Sequence, residues 1–152
     1  GLSMGGYGAL RNGIKYQDTF SVIASFSGAI YKNALPIEED NSSPFFLTTR
    51  YAKSIFKDQD YYDSHGNQLF KEIEKVENPS DLKIFMTCGT EDWLLDKSRE
   101  FSRFLFEKGV PVIYKEKSGG HEWDFWDWSI KEFLDWWIPE DTDQGVSSGN
   151  VR

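Results

Sequence analysis

Gly1-Leu2-Ser3-Met4-Gly5 constrains this chain more than any other stretch. It fits Gly-x-Ser-x-Gly, the pattern of a very tight strand-to-helix turn that lifts the serine hydroxyl above the end of a sheet. The expectation is that the residues two before and two after the serine approach backbone too closely for a side chain, so both are glycine. The same turn aims the N–H of Met4 at the space above Ser3. Such a turn needs a strand in front of it, and the sequence starts at Gly1. Three fixed positions match by chance in about 5% of chains this long, so other residues have to decide.

Two further segments decide. Residues 81–88 form a short apolar run that ends in Gly89-Thr90-Glu91-Asp92, followed by helical spacing over 94–108. This reads as a buried strand with carboxylates at its C-terminal end. Residues 110–116 form a second such run, followed by Ser118-Gly119-Gly120-His121 and another helix. Chemistry in open α/β sheets gathers at the carboxyl ends of strands. The order Ser3, Asp92, His121 is the Ser…Asp/Glu…His order of α/β-hydrolases. Glu91, Asp92 and Asp96 all lie near one strand end, so chemistry alone leaves the acid open among them.

Three stretches together resemble the esterase D family of α/β-hydrolases: Gly1 to Leu10 (GLSMGGYGAL), Cys88 to Asp92 (CGTED) and Gly119 to Trp123 (GGHEW). That family includes S-formylglutathione hydrolases, tributyrin-type carboxylesterases, feruloyl and acetylxylan esterases, and mycolyltransferases. The GGHEW stretch is closer to the tributyrin and feruloyl branch. The resemblance runs over about residues 1–138 and corresponds to the C-terminal part of such proteins. It implies an α/β-hydrolase fold (three-layer αβα around a parallel sheet) that begins at the serine turn and lacks the N-terminal strands. It implies Ser3 as nucleophile, His121 as general base, Asp92 as the acid that orients it, and the Met4 N–H as half of an oxyanion hole. The other donor is expected outside this sequence, so the piece alone is expected to be feeble or inactive.

Composition narrows the alternatives. A length of 152 residues with 39% hydrophobic and 16% aromatic residues suits one folded domain. A net charge of −8 disfavours a nucleic-acid partner, because no surplus of Lys and Arg can neutralise phosphates. No run is long enough for a membrane span. The single Cys88 excludes an internal disulfide and reads as a small core residue. Only two histidines, with none at metal-ligand spacing, make a zinc site unexpected, and no cofactor is implied. His65, in a Ser-His-Gly stretch, reads as a solvated turn residue. No signal peptide is visible; the expected compartment is the cytoplasm, with secretion left open.

The remaining chain fits one domain over 1–139. Residues 3–16 read as the helix after the serine turn, with Gly5, Gly6 and Gly8 expected to lie close on the sheet. Residues 20–26 read as a parallel strand whose outer flank is expected to be unpaired. Residues 29–80 form an insertion between strands. Phe46, Leu47, Tyr51, Ile55 and Phe56 have helical spacing, as do Leu69, Phe70, Ile73 and Val76. The insertion either lies over the site like a cap or simply packs on the sheet. The last helix runs from near Trp123 to Trp137, with Trp126, Ile130, Phe133, Leu134 and Trp137 as its core face. Glu122 and Asp124 read as first-turn acids favoured by the helix dipole. Residues 140–152 are expected to be disordered. Trp93 and Trp123 adjoin the acid and base, where they serve either substrate binding or packing.

The chemistry implied is hydrolysis of a small-molecule ester, short-chain or aryl (acetyl or feruloyl type), through a covalent serine ester. An acyltransferase that uses an alcohol in place of water, or a non-catalytic hydrolase fragment, are the competing readings. Oligomeric state is open.

Overall fold

The computed structural model describes residues 1–32 and 49–138, with backbone only for 49–52. Its centre is a three-stranded parallel sheet in the order β1-β2-β3: β1 is Ile23–Phe26, β2 Ile84–Gly89 and β3 Val112–Lys117. Ile84 aligns with Ile23 on one side and Val112 on the other. All six residues of β2 are buried, as a central parallel strand covered on both faces requires. β3 is half-buried except at Ile113 and Lys117, which are exposed, and among the described residues it is the edge strand.

The strands are shorter than the apolar runs. Phe20 lies outside β1 because the chain first turns back on Tyr16, whose carbonyl accepts from the N–H groups of Thr19 and Phe20. Before β2, Pro79–Asp81 form a single 3-10 turn. The flank of β1 is not unpaired as expected. Leu2 bridges Phe26 in parallel; Phe26 N–H donates to Gly1 O, Ser3 N–H to Phe26 O, and the terminal amine of Gly1 to Ala24 O. The first three residues thus act as a short fourth strand.

Helices cover both faces. α1 (Met4–Lys15) follows the serine turn; α2 (Thr49–Phe56), α3 (Gln59–Ser64) and α4 (Leu69–Ile73) lie between β1 and β2; α5 (Leu95–Glu107) joins β2 to β3; α6 (Trp123–Trp137) closes the described chain. β2 sorts its side chains by alternation. Ile84, Met86 and Cys88 join Leu10, Ile14, Leu69, Ile73, Phe101 and Leu105 in the core on one face. Phe85 joins Phe26, Phe125 and Trp126 under α6 on the other. Each fully buried large side chain contributes roughly 1.5–3 kcal/mol of transfer free energy. The result is a three-layer αβα arrangement.

α3 was not apparent from apolar spacing. It is six residues long and polar, and it starts because Asp58 accepts from the Tyr61 N–H at 2.8 Å. His65 ends it, exposed and stacked on Tyr61 at 3.8 Å. α4 packs against α1 and α5, and the Tyr7 hydroxyl donates to Asn67 O at 2.7 Å. Ile55 is 40% exposed and Phe56 is buried; Val76 packs on the core just beyond α4. Phe46, Leu47 and the tail 140–152 lie outside the described residues.

Two side-chain expectations are corrected. In α6, Ile130, Leu134 and Trp137 are each more than 40% exposed, not core. The packed face is Phe125, Trp126, Ser129, Phe133 and Trp136. The helix carries apolar residues on two faces; on the inner one Ser129 Oγ accepts from the Thr87 hydroxyl at 2.9 Å. Among the glycines of α1, Gly6 does lie against the sheet, where a Cβ would meet Ser25 Oγ at 2.8 Å, but Gly5 and Gly8 face open space. The crowding in the serine turn is one-sided: a Cβ on Gly1 would lie 2.4 Å from Gly5 O, whereas one on Gly5 would meet nothing.

Candidate active site

The three strand ends converge on one place. Ser3 sits between the first bridge to β1 and the first residue of α1, with φ 52° and ψ −122°. A non-glycine residue there is strained, and it is held by bonds on both sides. Its N–H donates to Phe26 O, and its carbonyl accepts from Tyr7 and Ala29 N–H. Serine at a helix start commonly caps the first-turn N–H groups, but Ser3 makes no such side-chain bond. Its Oγ instead lies 2.9 Å from His121 Nε2.

His121 lies in the loop from β3 to α6. Its Nδ1 is 2.9 Å from Asp92 Oδ2, and the Asp92 side chain is fully buried. Asp92 stands in the turn after β2, where its Oδ1 accepts from Leu94 N–H at 2.9 Å. A carboxylate only accepts, so Nδ1 carries the proton and Nε2 is left as an acceptor for the serine hydroxyl. The other two acids near this strand end lie elsewhere. Asp96 lies in the exposed first turn of α5. Glu91 points to the histidine loop: its carboxylate accepts from Gly119 N–H and from Ser118 Oγ.

Glycine is required at Gly89, where a Cβ would lie 2.0 Å from Gly119 O. The end of β2 and the histidine loop therefore touch backbone to backbone. Glu122 is the N-cap residue of α6, not a first-turn acid, and its Oε1 accepts from Gly120 N–H at 3.0 Å. Asp124 does occupy the first turn. Met4 opens α1, so its N–H is among the first-turn donors that lack a partner within the helix.

Aromatic rings surround the imidazole. Trp93 lies 5.2 Å from His121 and Trp126 lies 4.9 Å away, edge to face. Trp123 is 67% exposed and packs edge to face on Trp126. Sequence reasoning assigned Trp126 to the core and missed its link to the site: its Nε1–H donates to buried Ser27 Oγ at 3.2 Å. Ser27 itself has φ 47° and follows β1 directly. No motif marks Ser27; only its place after an apolar run, next to Gly28, hints at a tight turn. Cys88 is buried below, and burial pushes its thiol up to about 11, so it is no thiolate at neutral pH. No cluster of His, Cys, Asp and Glu suited to a metal occurs among the described residues. Among the same residues no helix is long and apolar enough to cross a membrane.

A parallel sheet with helices on both faces, a serine on a strained strand-to-helix turn and a His–Asp pair on the next strand ends together define the α/β-hydrolase class. Within that class the chain belongs to the putative esterase family, which matches residues 1–136. It is 39% identical over 140 residues to an acetyl esterase of Caldicellulosiruptor saccharolyticus, covering 90% of this chain and 52% of that protein. Among solved structures, a ferulic acid esterase superposes with a TM-score of 0.64 at 26% identity, covering 90% of this chain and 48% of that one. A fluorophosphonate-binding serine hydrolase of Staphylococcus aureus superposes with a TM-score of 0.71 at 22% identity, covering 90% and 51%; this likeness is one of fold. The chain thus spans about half the length of the relatives it matches.

Proposed function

We propose that the whole protein is a serine carboxylesterase that cleaves short-chain or aryl esters through an acyl-serine intermediate. The observation that carries this reading is the unbroken relay from Ser3 Oγ through His121 to Asp92, both contacts at 2.9 Å. Ser3 Oγ attacks the ester carbonyl while His121 Nε2 takes its proton. The carbonyl oxygen becomes an oxyanion, and the Met4 N–H at the start of α1 is one donor to it. Collapse of the intermediate expels the alcohol, which receives the proton from Nε2. Water then repeats the sequence on the acyl-serine, and the acid leaves. Asp92 keeps Nδ1 protonated throughout and stabilises the imidazolium.

Trp93 and Trp123 flank His121 and Trp126, and we assign them to the walls that receive the ester. The named relative, an acetyl esterase, favours a small acyl group. The ring density around His121 also suits an aryl acyl group of the feruloyl kind. Residues 1–139 belong to one hydrolase domain in this reading, with 29–80 as an insertion whose helix α4 packs on α1 and α5 and whose helix α3 packs on α2. The direct test is hydrolysis of p-nitrophenyl acetate and methyl ferulate by the complete protein and by Ser3→Ala. Turnover by the first and none by the second supports the assignment; equal turnover by both removes it.

A further inference from the structure

Resting on that reading, we propose that Glu91 is a positioning residue for His121: it ties the turn that carries the acid to the loop that carries the base. Two glycines, Gly119 and Gly120, immediately precede the histidine. Gly119 has φ 150°, and a glycine pair costs more backbone entropy to fix than any other. A ring that must lie within hydrogen-bond reach of both Ser3 and Asp92 needs that loop held.

Glu91 holds it three times. Its own N–H donates to Gly119 O at 3.1 Å, its Oε2 accepts from Gly119 N–H, and its Oε1 accepts from Ser118 Oγ at 3.3 Å. Thr90 N–H adds a bond to Lys117 O at 2.9 Å. Gly119 is thus gripped at both its N–H and its carbonyl by one residue, the immediate neighbour of Asp92 in the chain. The missing Cβ of Gly89 lets the grip close against the end of β2. Glu122 takes the next N–H, that of Gly120. The Glu91 side chain is exposed, so its role here is hydrogen bonding, not core packing. The Gly119 N–H accordingly holds its carboxyl below the ordinary glutamate range, so it remains an acceptor at neutral pH.

The test uses the complete protein, with Glu91→Ala and Glu91→Gln. Three quantities are read: kcat and KM on p-nitrophenyl acetate, the rate at which a fluorophosphonate labels Ser3, and the downfield proton resonance of His121 Nδ1–H. Loss of the clamp misplaces a reacting group, so Glu91→Ala is expected to lower kcat and the labelling rate about 10- to 100-fold with little change in KM. The downfield resonance is expected to broaden in the same variant. Glu91→Gln keeps a carbonyl acceptor for Gly119 N–H and is expected to recover most of the loss, even if Glu91→Ala fails to fold. A wild-type protein that labels at Ser3, beside a folded Glu91→Ala variant with unchanged kcat and an unchanged resonance, overturns the clamp alone; should Glu91→Ala fail to fold, a folded Glu91→Gln variant that loses kcat about 10-fold or more overturns it. A wild-type protein that neither labels nor hydrolyses overturns the esterase reading and this proposal with it.

Discussion

The layer under α1 and α5 and the cluster at the strand ends are built on opposite terms. In the first, Leu10, Phe101 and Leu105 are completely buried and meet other apolar side chains. In the second, His121 is partly open and its loop is held by hydrogen bonds to Glu91 and Glu122. The first region stores stability in area removed from water. The second stores less, because the bonds from Glu91 and Glu122 that hold its loop are made at the surface, but it fixes directions. The chemistry and the stability of this protein should therefore come apart under mutation.

The largest separation is expected at Ser3. In the complete protein Ser3→Ala should reduce ester hydrolysis by about 10⁴-fold or more, while thermal unfolding monitored by circular dichroism stays where it was. Asp92→Asn comes next. The amide can still accept from Leu94 N–H, but its NH₂ offers a donor to Nδ1 and reverses the imidazole tautomer. A loss of about 10³–10⁴-fold in kcat is expected, with KM near that of the wild type. Phe101→Ala should do the reverse. It removes a fully buried ring that meets Phe70 at 5.0 Å, so a cost of about 3–5 kcal/mol is expected in denaturant titration. The molecules that remain folded should turn over at the wild-type rate. If Phe101→Ala lowers kcat as strongly as Asp92→Asn does, the two regions are coupled and the contrast fails.

The smallest effect is that of acid on the surface bonds. Glu91, Glu116 and Glu132 are held below the ordinary glutamate range, chiefly by Gly119 N–H, Arg99 and Lys115 respectively. Each is more acidic in the folded protein than in the unfolded chain. The stability each adds is therefore fully present above the ordinary glutamate value and is lost as pH falls through the lowered one. Stability should be flat on their account between about pH 6 and 8 and decline only below about pH 4. Glu116→Gln, which breaks the paired bonds to Arg99 at 2.7 Å, should make that decline shallower. An unchanged acid limb would show that this pair contributes nothing measurable.

Much of this arrangement is legible in the sequence. The serine turn, the two apolar runs ending in Gly89-Thr90-Glu91-Asp92 and Gly119-Gly120-His121, and the helices after them depend on local pattern, and each lies within a few residues of its expected place. What pattern could not supply is direction. Ile130 and Leu134 have the same helical spacing as Ser129 and Phe133, and only tertiary contacts, the packing of Phe133 and Trp136 on Phe85 and the bond from Thr87 to Ser129, mark which face turns inward. α3 has no apolar period, and its single cap at Asp58 is too weak a local signal to mark it. Among the three acids near one strand end, the backbone of the turn sends Asp92 to the histidine and Glu91 to the loop beside it. Gly5 carries the motif, but the close approach belongs to Gly1.

The most direct measurement is intact-mass analysis of the complete protein and of Ser3→Ala after exposure to a fluorophosphonate, with the adduct located by peptide mapping. A single adduct on Ser3, absent from the variant, is the result this account requires. An adduct on another residue, or none under conditions where the protein hydrolyses an acetyl ester, would contradict it.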